Sequence, residues 1–289
     1  MPELPEVETT ARLIRPDLVG RRVTDVGASW ARTLGKPRLA GARDLLVGRR
    51  ILEVSRRAKY VLVALAEGRA RSASSWLVVH LRMTGRLVHA APEEKPDPHR
   101  RAWLDLEETR GGRRRDAGRL DFLDPRKFGR FLATEDPDEV LPELGPEPLG
   151  PDFTADWLRA GLRSRRRQLK PLLLDQAFLA GLGNIYVDES LFRARLHPLT
   201  PSDRVSAAKA RALHEAITQV LAEAIEREGS SFDGFYRTPT GQPGSYQDQF
   251  QVYGRHGKPC RSCGATVTRI VVGQRGTHSC PRCQRPPRP

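Results

Sequence analysis

The most restrictive feature of this chain lies near its end: Cys260-x-x-Cys263, sixteen residues, then Cys280-x-x-Cys283. No other cysteine occurs in the 289 residues, so nothing is left for a disulfide framework elsewhere. Each CxxC turn delivers two sulfurs, and two such turns complete the tetrahedral thiolate set that zinc favours. Val267, Ile270 and Val271 between the pairs point to a β-hairpin. Four thiolates leave no open coordination position for water. The expected cofactor is therefore one structural Zn2+ on Cys260, Cys263, Cys280 and Cys283, folding a small hairpin that presents Arg275 and its basic neighbours.

Charge names the kind of partner. The net charge is +14, an excess that points to a polyanion, most often nucleic acid. The excess is concentrated. Eight Lys or Arg and no acid lie between Gln251 and Pro289, and six basic residues with no acid lie between Arg159 and Lys170. Two acid-free clusters far apart in one chain read as a surface that tracks phosphates. The longest apolar runs, such as 61–66, are too short to span a membrane, and the start has no apolar signal core. These features predict no membrane partner and a cytoplasmic, nucleoid-associated setting; no oligomerisation signal stands out, so a monomer is expected.

Organisation changes along the chain. Residues 1–135 read mostly as β, with apolar runs at 61–65 and 76–80, after an opening helix from about Pro5 to Arg15 in which Val7, Ala11 and Ile14 recur at helical spacing. Residues 109–117 read as an exposed hairpin tip or loop. Five prolines between 137 and 151 mark a linker. Beyond it, Leu213, Ile217, Val220, Leu221, Ala224 and Ile225 form a helical core stripe capped by Gly229. Residues 230–250 are polar and aperiodic, as functional lids often are.

Four segments carry chemistry. If Met1 is removed, Pro2 becomes a secondary amine beside the Glu3 carboxylate. An α-amine titrates near ~8, so much of it is nucleophilic at neutral pH. Attack on an anomeric carbon gives an iminium, an electron sink that permits elimination. The Arg56-Arg57-Ala58-Lys59-Tyr60 segment puts Lys59 at the entry to a strand, where it could be fixed at a cleft wall. Asp124-Pro125-Arg126-Lys127-Phe128-Gly129 places a cation and an aromatic on a turn; with Met83 they could fill the gap left by an extruded base. Gly181-Leu182-Gly183-Asn184 offers a tight turn with Asn184 as helix N-cap, after Arg165-Arg166-Arg167 and Lys170, an arrangement suited to gripping a DNA backbone.

Taken in order, PELPEVET at the start, RRAKY, HLRMTG, DPRKFG, GLGNIY with DESLF, QVYGR and the paired CxxC turns resemble the bacterial formamidopyrimidine-DNA glycosylases, over essentially the whole chain. The resemblance implies an α+β multidomain fold: an N-terminal β-sandwich with flanking helices (1–135), a linker (136–151), a helix–two-turn–helix domain with a lesion-lid loop (152–250) and a β-hairpin zinc finger (251–289). It implies a glycosylase and abasic-site lyase acting on oxidised purines in double-stranded DNA, with Pro2 the Schiff-base nucleophile, Glu3 the acid at the sugar oxygen, Lys59 serving β-elimination and Arg275 the δ-elimination. His99, Arg126 and Arg166 match DNA-contact positions, Met83, Arg126 and Phe128 the gap-filling triad, and Lys170 and Asn184 phosphate-side residues. Residues 107–119 look like an insertion, and Arg101 stands where the family carries a second histidine. The sister endonuclease VIII family, directed at oxidised pyrimidines, typically has glycine at the position of Leu4, which favours the purine branch. Two other readings are a glycosylase of this kind acting on oxidised pyrimidines or bare abasic sites, and a non-catalytic zinc protein that binds DNA.

Overall fold

The computed structural model describes residues 1–111, 113–232 and 234–287. The chain divides into two compact units: residues 1–142 with 228–244, and residues 143–227 with 245–289.

In the first unit, helix α1 (Leu4–Leu18) turns Leu4, Val7, Ala11, Ile14 and Leu18 to the core, the i, i+3/i+4 spacing that makes one apolar face. Its start is sealed by a reciprocal capping box: Glu3 accepts from the backbone of Glu6, and the Glu6 carboxylate accepts from the N–H of Glu3 at 2.8 Å. Strands β1 (Arg22–Ala28), β2 (Arg50–Arg57), β3 (Tyr60–Ala66), β4 (Ser75–His80), β5 (Arg86–Ala90), β6 (Arg100–Arg110), β7 (Arg113–Leu123) and β8 (Arg130–Thr134) form one antiparallel ladder in the order β5-β7-β6-β1-β2-β3-β4-β8. The ladder bends back on itself. Phe122 of β7 and Phe131 of β8 stack with ring centroids 6.0 Å apart, although five strands separate their own. Register shifts in β1, β2 and β6 supply the bulges that let strands bend so sharply. The expected sandwich is thus a single folded sheet around one core, left open because β5 and β8 do not pair. A second helix, α2 (Leu39–Leu46), covers it beside β1, β4 and β8.

The apolar runs read as strands lie in β3 and β4 and pair with each other. The opening helix runs three residues beyond Arg15, carrying Pro16 in its last turn. Residues 109–117, read as a tip or loop, are mostly ladder: β6 and β7 pair out to Arg110–Arg113, with the side chains of 113–116 exposed. Gly112 lies outside the described residues.

The second unit packs helices α3 (Ala155–Arg163), α4 (Leu169–Leu173), α5 (Asn184–Arg193) and α6 (Ala207–Glu226). The α6 stripe is buried as its periodicity predicts. Two turns join α4 to α5, stapled by Gln176, whose amide donates to the carbonyls of Leu174 and Leu182 and accepts from Gly181 N–H. The last segment, strands β9 (Thr268–Val272) and β10 (Arg275–Ser279), pairs through a two-residue turn at Gly273-Gln274, both at positive φ. Val252, Val267, Phe192, Cys260 and Cys280 form its small core.

The division by contacts differs from the sequence boundaries in one respect that matters. Residues 228–244 lie with the first unit, not with the helical one. Gly229, at φ +79, brings the chain so close to α1 that a Cβ there would meet Glu6 Oε1 at 2.7 Å.

Candidate active site

The N-terminal unit gathers the residues around the start of α1. Met1 is exposed, whereas Pro2 and Glu3 are buried. Glu6, unremarked in the sequence, is the hub. One carboxylate oxygen takes the N–H of Glu3 and the other takes the N–H of Ser230, each at 2.8 Å. Its carbonyl accepts from Thr10 Oγ1 at 2.8 Å and from the Tyr236 hydroxyl at 3.4 Å. Burial and the charge of Glu6 push the Tyr236 phenol far up, so it stays a neutral donor. One buried carboxylate thus ties the loop 230–236 to the peptide that precedes α1. The signal in the sequence was the Glu3-x-x-Glu6 spacing of a capping box; its second contact, 224 residues away, had none.

Lys59 sits in the tight β2–β3 turn behind Ala58, which takes a left-handed conformation at φ 51. It is 7% exposed. Arg56 holds the base of that turn, reaching Ala58 O at 3.0 Å and Glu8 of α1 at 2.9 Å. Across the ladder from Tyr60 stands His80, edge-on to the phenol at 4.6 Å. Burial, with the nearby Arg82 and Lys59 cations, pushes the His80 imidazole down to about 3. It is therefore a neutral group beside Lys59, with its Nδ1 accepting the N–H of Arg82 at 2.9 Å. His80 belongs to the HLRMTG segment, whose residue pattern carries no signal of this burial against Tyr60 and Lys59.

Two loops are locked together by Asp124, which is fully buried. It accepts from Thr84 Oγ1 at 2.5 Å, Arg126 N–H at 3.2 Å and Gly129 N–H at 2.7 Å. The loop after β4 therefore carries Met83 beside the turn that carries Arg126 and Phe128. Met83 is 38% and Phe128 49% exposed, unusual for such side chains, and the Arg126 guanidinium lies 4.8 Å over the Phe128 ring. His99 is exposed next to the same turn: its carbonyl accepts from Asp124 N–H at 2.9 Å, and Arg101 braces the turn through Asp124 O at 2.8 Å. Four predicted residues, Met83, His99, Arg126 and Phe128, are brought to one edge of the unit.

In the second unit Arg166, on the link between α3 and α4, is 91% exposed and loosely paired with Asp203 at 3.5 Å. Asn184 does not cap α5. Gly183 is the N-cap, and Asn184 is the first helical residue, its amide donating to Gly276 O at 3.0 Å and to the Tyr253 hydroxyl at 3.4 Å. A capping side chain folds back on its own helix; this one reaches the finger instead. Lys170 is also not where a phosphate contact needs it. It is fully buried, with Nζ 2.6 Å from Asp188 and 3.2 Å from Gly276 O, so its ammonium faces protein and not solvent. Arg275, first residue of β10, is exposed.

The four cysteine sulfurs lie within 4.8 Å of one another, with Cys263–Cys280 at 3.4 Å and Cys260–Cys283 at 3.9 Å. A tetrahedron with ~2.3 Å metal–sulfur bonds requires separations near ~3.8 Å, so these residues fit one zinc ion. The metal would supply folding energy to the hairpin.

Residues 1–131 match the formamidopyrimidine-DNA glycosylase N-terminal domain, residues 144–235 the formamidopyrimidine-DNA glycosylase H2TH domain, and residues 257–286 the zinc finger found in FPG and IleRS. A formamidopyrimidine-DNA glycosylase of Thermus thermophilus is 46% identical over 289 residues, covering 98% of each chain, and one of Chloroflexus aggregans is 44% identical over 288 residues with the same coverage. The solved MutM (Fpg) protein of Thermus thermophilus superposes with a TM-score of 0.82 at 45% identity over 98% of each chain. A Lactococcus lactis FPG mutant, solved in complex with a Fapy-dG containing DNA, gives 0.85 at 34% identity over 99% of this chain and 100% of its own. The fold and these matches define a zinc-finger, helix–two-turn–helix DNA-binding protein. More narrowly, the chain belongs to the formamidopyrimidine-DNA glycosylase family.

Among the described residues, no helix is long and apolar enough to cross a membrane.

Proposed function

We propose that this chain excises oxidised purines, 8-oxoguanine and formamidopyrimidines, from double-stranded DNA and then cleaves the strand, working as a monomer at the nucleoid. Family membership supports the glycosylase class. The observation that carries the catalytic assignment is the buried Glu3–Glu6 capping box, which fixes the peptide at Pro2 and Glu3 and holds the loop at Ser230 to the same carboxylate.

In this reading Pro2 becomes the nucleophile once Met1 is removed, because an amide nitrogen has no available lone pair. The amine attacks C1′ as the base leaves, Glu3 protonates the sugar ring oxygen, and the ring opens to an iminium. Loss of the C2′ proton expels the 3′ phosphate, and loss of the C4′ proton then expels the 5′ phosphate. Water hydrolyses the iminium, releasing the unsaturated aldehyde and the free amine. Lys59, with its neighbour His80 neutral, serves the first elimination. Arg275 places a cation at the phosphate leaving in the second. Met83, Arg126 and Phe128 fill the gap, with His99 and Arg166 on the phosphates. Residues 230–246 form a lid over the extruded base. Binding should weaken steeply with salt.

Borohydride trapping of the untagged protein on a duplex with one 8-oxoguanine tests this, with mass spectrometry of the adduct. An adduct on the peptide beginning at Pro2 is expected. An adduct only on oxidised-pyrimidine or abasic duplexes would change the substrate and keep the mechanism. No adduct on any duplex would leave a DNA-binding protein without this chemistry.

A further inference from the structure

The second unit contains a buried polar assembly that the chemistry above does not use. Lys170 and Asp188 are both fully buried and paired at 2.6 Å. Burying two charges is costly, and such a pair gives less stability than apolar residues of the same volume; what it adds is direction. Both members of the pair also bond to β10, Lys170 at the residue after Arg275 and Asp188 three residues along the strand. Lys170 Nζ donates to Gly276 O at 3.2 Å, and the same carbonyl accepts from Asn184 Nδ2 at 3.0 Å. The second oxygen of Asp188 accepts the N–H of His278 at 2.8 Å. Thr277 Oγ1 in turn closes on Arg275 O at 2.9 Å. The hairpin turn also rests on the residue after Lys170: a Cβ on Gly273 would stand 3.2 Å from Pro171.

We propose that Asp188, acting directly and through Lys170, is a positioning residue for Arg275. The carboxylate fixes the backbone on the C-terminal side of that arginine in one register against the start of α5, so that the exposed guanidinium has a defined origin. The proposal rests on the reading of Arg275 as the cation of the second elimination. Arg275 opens β10 directly after the Gly273-Gln274 turn, at the end of a two-stranded ladder, where the pairing with β9 alone holds the backbone on one side only. A positioned cation near the 5′ phosphate accelerates its departure; a cation displaced by an ångström does so far less.

The test is the partition between products. A duplex with a single abasic site yields a 3′ unsaturated aldehyde after the first elimination alone and a 3′ phosphate after both. Their ratio is set within each turnover, so it does not depend on how much of a preparation is folded. Arg275→Ala, Asp188→Asn and the double variant Lys170→Met/Asp188→Leu are compared, with zinc content measured on each. Asp188→Asn strands a buried ammonium and can fail to fold; the double variant removes both charges together and guards against that. The expected result is a fall of about tenfold in the ratio of 3′ phosphate to aldehyde in the zinc-loaded Asp188 variants, equivalent to about 1.4 kcal/mol in relative barrier, in the same direction as Arg275→Ala. A wild-type ratio in the zinc-loaded double variant, with the ratio lowered in Arg275→Ala, overturns the positioning role alone. An unchanged ratio in Arg275→Ala overturns the reading of Arg275 itself. Loss of zinc from both Asp188 variants would make the pair a folding device for the finger and also overturn the proposal.

Discussion

Replacing Glu6 by Gln should release the loop at Ser230 without removing any volume. In the native chain both carboxylate oxygens accept backbone N–H groups at 2.8 Å, Glu3 on one side and Ser230 on the other, in a site where Glu6 is 2% exposed. A carboxamide offers one oxygen and one NH2. Whichever way it is turned, one backbone N–H faces another donor. A hydrogen bond to a charged group contributes about 1.5–3 kcal/mol, and a stranded buried donor adds its own penalty. A loss of about 2 kcal/mol multiplies the open population of the loop ~30-fold. Amide hydrogen exchange followed by mass spectrometry reads this directly: peptides covering 228–236 should lose protection by one to one and a half orders of magnitude. The same variant should lose more activity on 8-oxoguanine than on a bare abasic site, which has no base to cover. Unchanged exchange both at 228–236 and at the N-terminal peptide carrying Glu3 would refute the assignment of Glu6 as the tether.

Other outcomes follow from single observations. His80 is held neutral, its folded pKa depressed to about 3 from 6.5. Below 6.5 the unfolded chain binds a proton that the folded chain refuses, so stability is lost as pH falls toward 3, with a slope approaching ~1.4 kcal/mol per pH unit. Denaturation midpoints of His80→Gln should fall less than those of the natural chain between pH 6.5 and 4. Gly129→Ala would place a Cβ 2.3 Å from the Phe122 ring, an overpacking that costs ~1–3 kcal/mol and should appear as a lowered Tm. Chelation of the metal, or Cys263→Ser, should unfold the finger and lower DNA affinity together, read by zinc release and by binding to a short duplex; DNA affinity that survived zinc loss would remove the finger from the interface.

Much of this protein is written locally. Zinc ligation, the β9–β10 hairpin, the α6 stripe, strands β3 and β4 and the capping box of α1 all depend on residues within a turn or two of one another, or on two CxxC turns joined by a short hairpin. Spacing and residue type are sufficient there, because the physics acts over a few bonds. Resemblance to the family then named Pro2, Glu3, Lys59 and Arg275, which no periodicity could. Tertiary structure alone decided the rest. It sealed Lys170 away from phosphate and against Asp188, and turned Asn184 from a cap into a strut on Gly276. It also assigned the loop 228–244 to the N-terminal unit through Glu6. The Asn184–Gly276 and Glu6–Ser230 bonds join residues 92 and 224 positions apart, and the Lys170–Asp188 pair joins two helices 18 positions apart. Such contacts are set by how the sheet bends and which helix the hairpin meets, and the energy of a buried polar group depends on partners that only the closed chain brings within reach.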